Sequence, residues 1–197
     1  MHQMVFQRFE EICRRRQAGG RVLEVGAVPS TDSLLNLKAL EQSALKIGVN
    51  LAGPAKSGDF LILPLNANSM CCFRDNTFDT VLCNAMLEHD PFFWRSLAEL
   101  YRVAKPGGLV VIGVPGFHLH GAWDHLSWSH RLPWIGKTLE KLSASARTLR
   151  YHAAPGDYYR FSLQAVHEVF MKDMTDVESH LIMSPPRIIA AGNKRNA

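Results

Sequence analysis

Arg21-Val22-Leu23-Glu24-Val25-Gly26 is a short, largely apolar run closed by a glycine. Its β-branched and aliphatic residues suit a strand covered on both faces, and Gly26 supplies a turn. Ser30, Thr31 or Asp32 then offers an N-cap for a helix through Leu34, Leu37 and Leu40, so the stretch reads as strand, turn, helix. The same alternation continues downstream. Strand-like runs follow at Leu45 to Leu51, Phe60 to Leu65, Phe78 to Cys83 and Leu109 to Val114. Between the last two, Asp90 as N-cap and Pro91 at the first position open a helix whose Phe93, Leu97, Leu100, Tyr101 and Ala104 recur at helical spacing. Lys105-Pro106-Gly107-Gly108 stops it. A later helix is predicted after Ser162 with Val166, Val169 and Phe170 inward, and Val177 to Met183 and Arg187 to Ala191, joined by Ser184-Pro185-Pro186, read as a terminal hairpin on the sheet edge. Short buried strands separated by helices are the one-dimensional signature of an α/β, doubly wound, mostly parallel sheet.

The chain has 197 residues, 47% of them hydrophobic and 20% charged, which suits one compact domain and excludes a disordered chain. Its apolar runs fall well short of the roughly 18 to 20 residues of a membrane-spanning helix. Met1 to Arg16 mixes Gln, Arg and Glu with its apolar residues and lacks the continuous stretch of a secretion signal, so the expected location is the cytoplasm. Cys13, Cys71, Cys72 and Cys83 form neither a disulfide framework nor a CxxC metal site and read as reduced thiols. The net charge of +4 owes part of its excess to Arg14-Arg15-Arg16 and Lys194-Arg195, runs that read as solvated ends of elements.

Residues 115–160 break the alternation. They gather Trp123, Trp128 and Trp134, Tyr151, Tyr158 and Tyr159, and His118, His120, His125, His130 and His152. Ile135, Leu139, Leu142, Ala146 and Leu149 predict an amphipathic helix within this stretch, which reads as a substrate or lid insertion in a single domain spanning 1–197.

Gly26 lets backbone approach a nucleotide-like ligand, but Gly26-Ala27-Val28-Pro29-Ser30 lacks the G-x-G-x-x-G that seats a pyrophosphate, which disfavours a dinucleotide cofactor. Three segments in order carry a more specific likeness: Val22-Leu23-Glu24-Val25-Gly26; Asp75 to Asn84 followed by Leu87-Glu88-His89; and Leu100-Tyr101-Arg102-Val103-Ala104-Lys105-Pro106-Gly107-Gly108. With them the stretch from Arg21 to Val114 resembles the class I S-adenosylmethionine-dependent methyltransferases, in particular the type 11 group. The resemblance implies a Rossmann-like sheet of seven strands with an antiparallel last strand, helices on both faces, and S-adenosylmethionine, with S-adenosylhomocysteine as product, at the C-terminal strand ends.

Carried over by position, the resemblance places Glu24, Val25, Gly26 and Ala27 by the methionine part of that cofactor and Asn50 and Leu51 by the ribose. It places Asn66, Ala67 and Asn68 by the adenine, and Asn84, Ala85, Met86 and His89 by the methyl donor. The chain departs from the family at three points: Asn50 and Asn66 stand where the family usually has acidic residues, and Ala27-Val28-Pro29 replaces further glycines. An amide accepts one hydroxyl where a carboxylate accepts two, so weakened binding is expected, by about 1 to 2 kcal/mol per lost charged bond.

Methyl transfer from a sulfonium needs an aligned acceptor and, for a hydroxyl or ammonium, loss of a proton. His118 and His120, just past the fifth strand run, are the predicted bases by position. Both histidines also have the spacing of metal ligands, without a matching carboxylate or cysteine cluster, so no metal is predicted. Trp123, His125, Tyr158, Tyr159 and Arg160 are the predicted acceptor contacts, because aromatic faces stack on rings and Arg pairs with acids; Tyr158-Tyr159-Arg160 serves equally as lid packing. The expected function is methylation of O or N on a small-molecule or glycan-like acceptor by a monomer or homodimer. The alternatives are a non-catalytic binding or scaffold protein of the same fold and a nucleic-acid methyltransferase. Asn84-Ala85-Met86-Leu87 lacks the Asn/Asp-Pro-Pro-Tyr-like turn of amino-group nucleic-acid methylases, so no nucleic-acid partner is expected.

Overall fold

A computed structural model of the chain describes residues 1–120, 145–148 and 156–196. In chain order these contain α1 (Gln3–Arg15), β1 (Arg21–Val25), β2 (Leu45–Asn50), β3 (Ala55–Ser57), β4 (Phe60–Pro64), β5 (Phe78–Asn84), α2 (Phe93–Val103) and β6 (Ala104–Pro115). There follow β7 (Phe117–His120), β8 (Ser145–Thr148), a short helix α3 formed by Leu163–Ala165 and a π-helical turn Val166–Phe170, β9 (Met174–Ile182) and β10 (Arg187–Lys194).

The main sheet has the order β3-β4-β2-β1-β5-β6-β10-β9. Strands β4, β2, β1, β5 and β6 run parallel, while β3, β10 and β9 join antiparallel. The doubly wound α/β sheet expected from the sequence is therefore present, with eight strands instead of seven. The added strand, Ala-Lys-Ser at the edge, is too short and too polar to announce itself in a hydrophobicity pattern. The C-terminal hairpin sits where expected, with Ile189 opposite Gly113 of β6.

Each face of the sheet carries its own core. On one, Phe9 and Ile12 of α1 meet Leu34, Leu37 and Leu40, over Val22, Leu82, Val111 and Ile189. On the other, Leu97 and Leu100 of α2 and Val166 and Phe170 of α3 cover Leu23, Val81, Val110 and Ile112. Completely buried β-branched and aliphatic runs on the central strands are what coverage on both faces requires. One of the basic runs is tethered: Arg15 and Arg16 both reach Glu178 of β9.

Four local expectations need correction. No regular helix follows β1; Leu34–Asn36 and Lys38–Leu40 are single 3₁₀ turns separated by an extended Leu37 (φ −60°, ψ 135°). The amides of Leu34 and Leu35 donate to the Glu24 carboxylate, which fixes the turn at its start, and the three leucines reach the core all the same. Helix α2 starts at Phe93 instead of Pro91, with Asp90 Oδ1 accepting from the Phe92 amide at 2.8 Å. Val169 faces outward because the π turn, closed by Met171 N–H to Val166 C=O at 3.0 Å, is wider than an α turn and rotates it away from the sheet. Finally, Ala146 lies in a strand: Ser145–Thr148 pairs antiparallel with Phe117–His120, so cross-strand bonding overrides the helical spacing there. The rest of the predicted 135–149 helix lies outside the described residues.

Candidate functional site

Strand β1 pairs with β2 on one side and β5 on the other, so the chain winds outward in both directions from it. Open α/β sheets bind ligands in the crevice past the carboxyl ends of the strands at such a reversal. The loops after β1, β2, β4 and β5 that converge there contain nearly all the residues singled out along the first half of the chain.

The β1 loop is held from three directions. Gly26 adopts φ +88°, and a Cβ added to it would lie 2.9 Å from Met86 Cβ, so the loops after β1 and β5 touch at a point where only glycine fits. The amides of Gly26 and Ala27 both donate to the Val49 carbonyl, at 2.9 and 3.1 Å. Asn50 Nδ2 donates to the Ala27 carbonyl at 2.8 Å, while its Oδ1 accepts from the Ala52 amide at 3.3 Å. Leu51 is largely exposed beside it.

Glu24 is buried directly beneath. Its carboxylate accepts from Ser33 Oγ at 2.5 Å and from the amides of Leu34 and Leu35 at 3.1 and 3.4 Å. Burial pushes its pKa up to about 7, against the lowering effect of those three bonds. The carboxylate thus shapes the segment following the β1 loop, and Val25 beside it packs in the core.

On the β4 side, Asn66 Oδ1 accepts from the Asn68 amide at 2.9 Å. Asn68 Nδ2 in turn reaches Asp90 Oδ2 at 2.5 Å and Ser96 Oγ at 2.8 Å, and Ser96 donates to the same Asp90 oxygen at 2.6 Å. Asp90 is therefore a knot between the β4 loop and the start of α2. Half-buried Ala67 packs on the adjoining core.

After β5, Ala85 takes φ +52° and donates its amide to the Gly113 carbonyl at 2.9 Å, while the Asn84 side chain lies over Gly113, where a Cβ would be 2.4 Å from Oδ1. Leu87, Glu88 and His89 form the next turn. The Glu88 carbonyl accepts the amides of Tyr158 and Tyr159, at 2.8 and 3.3 Å, and His89 Nδ1 contacts the Gly156 carbonyl. A carbonyl only accepts, so that contact puts the proton of His89 on Nδ1. Residues 156–161 thereby lie as a strap across the end of β5.

Within the strap, Arg160 is ion-paired to the buried Asp157, with Nη2 to Oδ2 at 2.6 Å. The Tyr159 hydroxyl donates to the Pro91 carbonyl at 3.0 Å and its ring meets Phe93 at a centroid distance of 4.9 Å, whereas Tyr158 is exposed. Of the predicted acceptor contacts, Tyr159 and Arg160 thus serve the strap's own anchoring, and Tyr158 faces outward beside the site. His118 and His120 lie on β7, opposite Arg147 and Ser145. Trp123 and His125 lie outside the described residues. Among the described residues no group of three or more His, Cys, Asp and Glu has the arrangement of a metal site.

The structure adds residues to which the sequence alone gave no role at the site. Asp90 read only as a helix cap, yet it ties two loops; Glu88, quoted inside a motif, is completely buried and meets Arg187 of β10. An acidic residue beside a histidine directly after a central strand was the available signal for Glu88. Nothing local to Arg187 marked it.

Comparison with known proteins gives a consistent picture. The profile of a family described as "Methyltransferase domain" matches residues 35–112. An uncharacterized methyltransferase of Mycobacterium tuberculosis is 31% identical over 119 residues, which are 60% of this chain and 44% of that protein. The ubiquinone/menaquinone biosynthesis C-methyltransferase of Erwinia tasmaniensis is 30% identical over 162 residues, 74% of this chain and 63% of that protein. The chain thus spans about half to two thirds of the length of these curated relatives. Among solved structures, a SAM-dependent methyltransferase from Archaeoglobus fulgidus superposes with a TM-score of 0.65 at 14% identity, covering 98% of this chain and 94% of that one. The Burkholderia thailandensis 1,6-didemethyltoxoflavin-N1-methyltransferase, solved with its substrate and S-adenosylhomocysteine, superposes with a TM-score of 0.64 at 17% identity, covering 97% and 78%.

Proposed function

We propose, from the class I methyltransferase fold and type 11 sequence signature that this chain carries, that it binds S-adenosylmethionine and transfers the methyl group to O or N of a small-molecule or glycan-like acceptor. The observation that carries this reading is the Gly26–Met86 contact. Two loops at the switch point of the sheet approach to a distance that excludes any side chain at position 26.

The residues present fit that cofactor, with one modification. Gly26 and Ala27 form the floor for its amino-acid end, Asn68 is fixed by Asp90 and Ser96 at its adenine end, and Met86 closes it from the β5 side. Asn50 differs, because its amide is committed to Ala27; only its Oδ1 would be left to accept a ribose hydroxyl, and that oxygen already takes one bond from Ala52. S-adenosylmethionine supplies a methyl group activated on a sulfonium. The protein's part is to hold the acceptor in line and to take up the proton that a hydroxyl or ammonium must lose. We assign acceptor choice to the 115–160 insert, with Tyr158 at the mouth of the site.

Calorimetric titration with S-adenosylmethionine and S-adenosylhomocysteine tests the cofactor assignment. S-adenosylhomocysteine release with a panel of amines, amino sugars, phenols and sugars tests the chemistry. Binding together with turnover of a panel member supports the reading. Failure to bind either nucleoside leaves the scaffold alternative.

A further inference from the structure

Glu88 is wholly buried in the turn after β5, one residue before His89 and four after Asn84. Its two carboxylate oxygens have different surroundings. Oε1 lies 3.4 Å from the Arg187 guanidinium and 4.0 Å from His89 Nε2. Oε2 accepts no hydrogen bond, and it is the one buried carboxylate oxygen among the described residues of which this is so. A buried polar atom without a partner costs on the order of 1 to 3 kcal/mol, more when charged, and a folded protein keeps such a group where function uses it. Neither structural contact of Glu88 uses Oε2: the strap rests on its carbonyl and Arg187 pairs with Oε1.

Resting on the methyltransferase reading above, we infer that Glu88 is the acceptor-side carboxylate of this site and that the acceptor is an amine, whose N–H bonds to Oε2. The choice between amine and hydroxyl follows from charge: a buried carboxylate oxygen without a hydrogen bond complements an ammonium and not a neutral hydroxyl. Burial holds the Glu88 carboxyl above its ordinary range, partly offset by Arg187 and His89. It therefore takes up a proton more readily than a free carboxylate does, and an ammonium is a far stronger acid than an alcohol. Phe93 and Tyr159, in edge contact next to the turn, add aromatic surface of the kind that accommodates a cation. In the step, the acceptor ammonium gives one proton to Oε2 of Glu88. The freed nitrogen lone pair forms the bond to the methyl carbon as the carbon–sulfur bond breaks with its electron pair passing to sulfur, and the proton leaves Glu88 to solvent as product departs.

The test compares wild type with Glu88→Gln in the full chain. Neutralising Glu88 weakens its ion pair with Arg187 and also removes the charge shared by the unpartnered Oε2, so turnover is read beside stability. The expected stability result is a difference between the two proteins that shifts in favour of Glu88→Gln as pH rises, because the wild-type carboxyl becomes charged. The other charged or titratable groups facing Glu88 are Arg187 from β10, Arg160 from the strap, His89 on its own turn and Cys83 on β5, and all are unchanged in the variant. Calorimetry should give the same S-adenosylmethionine affinity for both proteins. In the acceptor panel, amines and amino sugars should be methylated and their hydroxyl counterparts not, and Glu88→Gln should lose about 100-fold or more in kcat at little change in KM. A Glu88→Gln that keeps the wild-type kcat with amines, or a wild type that methylates the hydroxyl counterparts, overturns the assignment. Loss of S-adenosylmethionine binding by wild type overturns the methyltransferase reading itself.

Discussion

The side-chain amide of Asn50 donates to the main-chain carbonyl of Ala27 across 2.8 Å, joining the end of β2 to the loop after β1. An aspartate at the same place has no hydrogen to donate and would set its charge against that carbonyl. The two places where the sequence departs from the methyltransferases it resembles, Asn50 and Ala27-Val28-Pro29, are thus joined by one hydrogen bond. Asn50→Asp is expected to lower stability by about 1 kcal/mol and to leave cofactor affinity no tighter. Chemical denaturation and calorimetry on the one variant check both, and a tenfold gain in affinity would refute the second.

Gly26 is the least replaceable residue of the site. Its φ of +88° is strained for any L side chain, and the new Cβ would meet Met86 Cβ at 2.9 Å. Gly26→Ala should cost about 1 to 3 kcal/mol of stability and push the β5 loop away, reducing S-adenosylmethionine affinity by at least about tenfold. Gly26→Val should abolish binding in a protein that keeps its secondary structure by circular dichroism.

Asp90 organises the β4 loop from the start of α2. Removing its carboxylate in Asp90→Ala strands Ser96 Oγ, which donates to Oδ2, and the Phe92 amide, which donates to Oδ1, and leaves Asn68 Nδ2 with Ser96 Oγ as its one acceptor. The expected loss is about 2 to 4 kcal/mol, measured by urea unfolding, with Ser96→Ala costing less because one donor disappears with it.

Glu24 gives stability a pH dependence. Its pKa rises on folding from 4.5 to about 7, so the folded state favours the protonated form. The corresponding contribution is complete below about pH 4.5 and is lost as pH rises through 7, an effect of about 3 kcal/mol. Unfolding free energies taken at acid and mildly alkaline pH should therefore fall with pH, and more steeply in wild type than in Glu24→Gln. Equal slopes would contradict this account of the buried carboxylate.

The sequence makes the central strands legible because each is a short, fully buried aliphatic run, and burial on both faces leaves no polar alternation to confuse the reading. The terminal hairpin is legible for the same reason, through Ile188 and Ile189. What it hides is set by distant partners. Leu34, Leu37 and Leu40 keep a near-helical spacing, yet Glu24 on β1 takes the amides that would begin the helix. Ala146 is drawn into a strand by Phe117–His120, and Val169 is turned outward by a single π-helical turn. At the site, the positions of Gly26, Asn50 and Asn68 were readable from motif order. The bonds of Asp90 and the meeting of Glu88 with Arg187, 99 positions apart, arise only when the sheet closes.

The most direct test of the central claim is calorimetric titration of the purified chain with S-adenosylmethionine, alongside Gly26→Val. The account predicts micromolar binding by the natural sequence, a similar response to S-adenosylhomocysteine, and no heat of binding from the variant. Absence of binding by the natural sequence, or equal binding by Gly26→Val, would contradict the assignment of the crevice beyond β1 as the cofactor site.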